Sequence, residues 1–175
     1  IEELFAQFAI FVDQTKPNMT ERDPQILDIE KVIVSRAGKK AKYIPKFVIR
    51  WFKNFMHLDF INEYLKEGYV GVDFCENCLK YLGVELEIIG RENLPKDGRK
   101  YTFVSNHPLG AIDGVTLGAV IGREYDGKVK YLMNDLLMNL KGMAPLGIPI
   151  NKLGGQARNL PKLINEVYES ENQML

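Results

Sequence analysis

The hydrophobic pattern changes once along this chain, near residue 83, and that change limits the folds open to it. Beyond it, Val84 to Ile89 runs Val-Glu-Leu-Glu-Ile-Ile, the alternation of a strand with one face covered. A turn-rich loop from Glu92 to Lys100 holds Pro95 and Gly98, and Tyr101 to Ser105 reads as a second strand. Then follow a helix from about Asp113 to Ile121, a strand Val129 to Met133, a helix Asp135 to Lys141 and a short strand Ile148 to Ile150. A helix starting at Gln156 or Leu160 and ending at Ser170 precedes Asn172-Gln173-Met174-Leu175, which reads as the start of another apolar strand. Strands and helices in alternation predict an α/β core over 83–175.

The first part, 1–82, has helical spacing instead. Residues 2–12 suit a short amphipathic helix, and 16–24 a polar loop with Pro17 and Pro24. Ile26 to Ser35 fits a helix or a strand, with the balance toward helix. From Pro45, placed at a helix's first position, Ile44, Phe47, Val48, Trp51, Phe52, Phe55 and Met56 share one face, opposite Lys46, Arg50, Lys53 and Asn54. Asp59 to Lys66 and Val72 to Leu82 predict two more helices, separated by Gly68 and Gly71.

Charge is distributed unevenly although the net charge is zero. Residues 1–30 carry seven acids and two bases. Residues 31–58 carry eight bases and no acid: Lys31, Arg36, Lys39, Lys40, Lys42, Lys46, Arg50 and Lys53. A basic stretch of this length interleaved with aromatics implies an anionic partner, here a membrane surface touched by Lys39, Lys40, Lys42, Lys46, Arg50, Trp51 and Lys53. The competing reading packs those aromatics on the core. No nucleic-acid motif accompanies the bases. The longest apolar stretch, Leu4 to Val12, is nine residues against the roughly 20 of a transmembrane helix. It follows Glu2 and Glu3 rather than a basic segment, a poor signal peptide. The expected setting is cytoplasmic and peripheral on the inner face of the membrane.

Two motifs are set aside. Gly122 to Val129 matches a phosphate-binding loop until Val129, where the magnesium-holding hydroxyl is missing, and it follows a helix where a strand is required. Cys75-Glu-Asn-Cys78 lacks two further ligands at finger spacing, since His57 and His107 are the chain's two histidines. The thiols are expected to pack; no metal is expected.

Ser105-Asn106-His107-Pro108-Leu109-Gly110-Ala111-Ile112-Asp113-Gly114 is the segment that carries chemistry. It begins where a strand ends, the edge at which open α/β sheets place ligands. A continuous helix would point His107 and Asp113 apart; Pro108 and Gly110 break it, so a turn can fold the carboxylate back onto the imidazole. An Asp on one ring nitrogen fixes the tautomer and leaves the other nitrogen as a base for a hydroxyl proton. The bland alternative is an Asp capping a helix, with an incidental His.

This segment resembles the first motif of the glycerolipid (lysophosphatidic acid) acyltransferase family, Asn-His followed by Asp. Five residues separate His107 from Asp113, one more than usual, and the Asn-His-Pro-Leu-Gly-x-x-Asp-Gly form resembles the bacterial haemolysin-like or aminolipid branch. Ile148-Pro149-Ile150-Asn151-Lys152 is similar to the family's strand ending in Asp-Arg, and the glycines after it lead to Arg158. The resemblance implies a mixed sheet flanked by helices and transfer of an acyl group from a thioester donor to a lysolipid hydroxyl. It implies His107 and Asp113 as the catalytic pair, and Asn106, Gly110, Asn151, Lys152 and Arg158 toward substrate. It implies no cofactor beyond an acyl-carrier-protein or coenzyme A thioester as cosubstrate. The family's third motif, a Phe-Pro-Glu-Gly type segment, is expected after Leu175, so the chain reads as part of a longer protein and is expected to be inactive alone. A non-catalytic haemolysin-like membrane-binding protein is the alternative. A serine hydrolase is disfavoured, because none of Ser35, Ser105 and Ser170 sits in a Gly-x-Ser-x-Gly elbow.

Overall fold

The computed structural model describes residues 22–38, 43–55, 57–151 and 157–175. The helix expected over 2–12, together with Lys39, Lys40, Lys42 and Lys152, lies outside the described residues. Six α-helices are described: α1 (Ile29–Ala37), α2 (Lys46–Phe55), α3 (Leu58–Lys66), α4 (Val72–Tyr81), α5 (Ala111–Glu124) and α6 (Leu160–Glu169). Three parallel strands, β1 (Val129–Asn134), β2 (Gly147–Ile150) and β3 (Gln173–Met174), lie in the order β2-β1-β3. In register, Asn134 stands beside Ile150 and Val129 beside Gln173. None of the described helices is long and apolar enough to cross a membrane.

The α/β reading holds, and within the 26–35 segment the helix reading holds from Ile29, running on to Ala37. Pro45 stands one residue before α2 rather than inside it, with its carbonyl accepting from Val48 and Ile49. Three expected elements differ. Val84 to Ile89 forms no strand: no described strand pairs with it, and Leu86, Ile88 and Ile89 are exposed. Alternation sets which faces side chains take, whereas a strand also needs a ladder. Tyr101 to Ser105 shrinks to one parallel bridge, Thr102 to Met174, with Met174 N–H donating to Tyr101 O and Phe103 N–H to Met174 O. Asp135 to Lys141 is not an α-helix but a 3₁₀ turn over Asp135–Asn139. Asn134 accepts from Leu136 N–H at its start and the Asn139 amide donates back to Leu136 O, so side chains close the turn before a 13-atom helical ring can propagate.

One core joins both parts of the chain. Tyr64, Leu65, Val72, Phe74, Cys75 and Leu79 of the helical part pack with Val115, Ala119, Ile121, Val129 and Tyr131. Cys75 is fully buried, with its Sγ 3.8 Å from Met143 Sδ, and burial pushes its thiol up to about 12. Cys78 is half-buried with its thiol also raised by burial, so the Cys-x-x-Cys pair is core packing and no ready nucleophile. α4 and α5 are further tied by charge. The Arg123 guanidinium grips Glu76 with two hydrogen bonds of 2.8 and 2.6 Å and reaches Asp73 at 3.2 Å. At the other side of that helix end, Lys96 and Arg91 hold the Glu124 carboxyl below its ordinary value. The Gly122–Val129 segment is therefore a helix end, a turn and a strand start, built around carboxylates rather than phosphate.

Candidate active site

The site grows from the place where the chain leaves the sheet. After the Thr102 bridge, Ser105, Asn106 and His107 are exposed, residues 108–110 form a turn, and α5 starts at Ala111. Gly110 makes the turn possible. Its φ of 66° with ψ of −124° is a conformation that L side chains rarely adopt, and nothing lies within 4 Å of where a Cβ would sit. Gly110→Ala therefore tests backbone geometry alone. It is expected to cost about 1–3 kcal/mol of strain, read by denaturant unfolding, and to lower activity by displacing Leu109 and Asp113 together.

Asp113 stands in the first turn of α5 and does two things. Its Oδ2 accepts from Leu109 N–H at 2.7 Å, closing the turn. The same oxygen lies 3.6 Å from His107 Nδ1. That separation is longer than a hydrogen bond and short enough for strong attraction to a protonated ring. The capping reading and the catalytic reading thus describe the same carboxylate. Asp113 is 20% exposed and His107 60% exposed, so the carboxylate is held while the imidazole stands largely open to solvent. With Asp113 facing Nδ1, the proton-bearing Nδ1 tautomer is favoured, which leaves the Nε2 lone pair available.

Behind the pair stands a residue that sequence reasoning missed. Tyr131, buried on β1, donates its hydroxyl to Gly114 O at 2.9 Å, fixing the α5 turn next to Asp113 to the sheet. Burial raises the Tyr131 phenol, so it stays a neutral donor. The alternation of β1 marks Tyr131 as inward; its partner lies 17 positions away and leaves no sequence signal. The Leu109 N–H anchor is the capping role that the sequence offers as the alternative reading of Asp113, with the particular donor now given by the turn.

Of the residues expected toward substrate, Asn106 and Asn151 can be placed against the sheet. Because β2, β1, β3 and the Thr102 segment all run parallel, Asn106-His107 and Asn151 leave the same, carboxyl-terminal edge of the sheet. Three strand steps of about 4.8 Å separate those two exits, roughly 14 Å in all. Asn151 directly follows β2 at that edge. Asn151 is half-buried and bonded; Arg158 is exposed, two residues ahead of α6, whose Leu160 packs with Ile148 of β2. Asn106 is exposed one residue before His107. Lys46, Arg50 and Lys53 gather elsewhere, on α2, around a cavity of about 320 Å³ with Glu30 and Ile49, and Trp51 is exposed on the same helix. No group of His, Cys, Asp and Glu suited to a metal occurs among the described residues.

Comparison with known proteins adds to this geometry. The lyso-glycine lipid O-acyltransferase of Bacteroides thetaiotaomicron is 53% identical over 159 residues, covering 90% of this chain and 58% of that protein. The lyso-glycine lipid O-acyltransferase of Phocaeicola vulgatus is 52% identical over 159 residues, covering 90% of this chain and 57% of that protein. The chain thus spans under three fifths of the length of these curated relatives. No solved structure matches it. The family model described as Acyltransferase matches residues 31–175, a span that contains the whole turn from Asn106 to Asp113 and the Asn151 exit. On that match, the chain belongs to the acyltransferase family.

Proposed function

We propose that this chain carries the catalytic pair of an O-acyltransferase that moves a fatty acyl group from a thioester donor to the hydroxyl of a lyso-aminolipid of the glycine-lipid type. The observation that carries the proposal is the His107–Asp113 pair, 3.6 Å apart and fixed by the Leu109 N–H, inside the span matched by the family. Two relatives at 53% and 52% identity bear the name of that acceptor, which supports the substrate class.

The chemistry follows from the ring. Nε2 of His107 removes the acceptor's hydroxyl proton as the oxygen attacks the thioester carbonyl carbon. A C–O bond forms, and the carbonyl oxygen becomes an oxyanion. The imidazolium so created faces the Asp113 carboxylate, which offsets its charge. Collapse breaks the C–S bond, and the ring proton passes to the departing thiolate. The α5 amino end, adjacent to the pair, presents backbone N–H groups and positive dipole toward developing negative charge. Acyl-carrier protein and coenzyme A thioesters both fit this scheme, and no step requires a metal.

The test is a product assay on the full-length protein with labelled acyl thioester, as carrier-protein and coenzyme A forms, against lyso-glycine lipid and lysophosphatidate. Acyl transfer to lyso-glycine lipid is the expected result. Transfer confined to lysophosphatidate would overturn the acceptor class. Release of free fatty acid with no acylated lipid would overturn transfer altogether.

A further inference from the structure

Helix α2 carries large aromatics on one face and buries none of them. None of its residues is buried, and Phe47, Trp51 and Phe55 are 73%, 62% and 65% exposed. These three lie on one stripe, since each successive position adds about 100°. Trp51 and Phe55 stack with centroids 5.4 Å apart. Tyr43, just ahead of the helix, is 75% exposed. An aromatic stripe of this kind pays a hydration cost when left in water. Among the described residues these three side chains take no part in the core clusters, while Phe52 is half-buried.

The flank of that stripe is cationic. Lys46 and Arg50 stand beside it, and Lys53 continues the row while holding Glu30 at 2.8 Å. Glu30 is the acid lining the cavity they share, so one of three positive charges is matched there and the row stays net positive. The whole 31–58 stretch adds five more bases and no acid. An acidic protein surface would complement the charge and leave the aromatics without an apolar host. An anionic bilayer offers both: headgroups for the bases and the acyl boundary for the rings.

We infer that α2 is an in-plane anchor that docks this chain on an anionic lipid surface, with Phe47, Trp51 and Phe55 entering the headgroup boundary and Lys46 and Arg50 contacting headgroups. This stands apart from the acyl-transfer reading, because it uses none of the residues of the His107 site.

Trp51 is the chain's single tryptophan, so its fluorescence reports on α2 alone. The experiment mixes the full-length protein, with any tryptophan outside residues 1–175 replaced by phenylalanine, with vesicles of phosphatidylglycerol and phosphatidylcholine, with and without brominated acyl chains, at low and high salt. The expected result is a blue shift and bromine quenching of Trp51 that grow with the phosphatidylglycerol fraction and fade with salt. Lys46→Gln with Arg50→Gln should weaken partitioning by roughly 25-fold, since each base near an anionic surface is worth about fivefold. Phe47→Ser with Phe55→Ser should abolish quenching while the circular dichroism melt stays unchanged, because neither side chain is buried. Equal partitioning into pure phosphatidylcholine overturns the electrostatic part. Absence of quenching, or a blue-shifted Trp51 already present without vesicles, overturns the anchor, the second by showing the stripe covered by the chain itself. A shift produced by an acidic carrier protein and not by vesicles also overturns it.

Discussion

Replacing His107 by Ala in the full-length enzyme is expected to reduce acyl transfer by about 10²–10⁴ while leaving the fold intact. The two halves of that statement have separate grounds. The rate loss follows from removing the base that takes the hydroxyl proton, for which no other side chain at the α5 turn is suited. The intact fold follows from exposure: the imidazole is 60% exposed and holds no buried neighbour in place. The thermal transition should therefore coincide with that of the parent, and KM for both substrates should change little. An alanine variant with full activity would remove His107 from the mechanism.

Asp113 separates capping from catalysis. Asp113→Asn keeps an oxygen that can accept from Leu109 N–H, so the turn survives. It removes the charge that faces the imidazolium. Activity should fall by a large factor with stability almost unchanged, whereas Asp113→Ala should lower both. The double variant His107→Ala with Asp113→Asn should be scarcely worse than His107→Ala alone, because the carboxylate acts through the ring. Additive losses would instead mean that Asp113 serves the turn and not the base.

How much of this was legible in the sequence depends on what kind of interaction builds each part. Helices, stabilised largely within themselves, read well: α3 and α4 from spacing, and α5 starting two residues ahead of the expected Asp113. The His107–Asp113 approach was legible because Pro108 and Gly110 are local causes of a local turn. Among elements that need a distant partner, β1 and β2 read correctly, but two others did not. Val84 to Ile89 carries the strand pattern and has no described ladder partner, and Tyr101 to Ser105 keeps one bridge to Met174, 72 positions after Thr102. The 3₁₀ turn at Asp135–Asn139 looked helical because its hydrophobic spacing is helical, while Asn134 and Asn139 close it from the side. In the site, Tyr131 escaped notice for the same reason: a hydroxyl-to-carbonyl bond across 17 positions has no period.

Gly118→Ala is expected to destabilise the protein by about 1–3 kcal/mol, although the same exchange in an exposed helix stabilises it by nearly 1 kcal/mol. The sign is decided by space. α5 crosses β1 and α4 so closely at Gly118 that an added Cβ would lie 2.1 Å from Tyr131 Oη and 2.8 Å from Cys75 Sγ. Neither neighbour can retreat at low cost. Cys75 is fully buried, and moving the Tyr131 hydroxyl forfeits its bond to Gly114 O. Loss of that bond loosens the turn that carries Asp113, so acyl transfer should fall along with stability. A double-mutant cycle isolates the cause. Tyr131→Phe alone leaves the Gly114 carbonyl its helical partner and should cost about 1 kcal/mol. Combined with Gly118→Ala it removes the nearest clash, leaving Tyr131 Cζ at 3.1 Å and Cys75 Sγ at 2.8 Å. The double variant should then be less destabilised than the sum of the two singles, by about 0.5–1 kcal/mol in urea unfolding. Strict additivity would mean that the helix shifts as a body and that Tyr131 does not set the distance between α5 and the sheet.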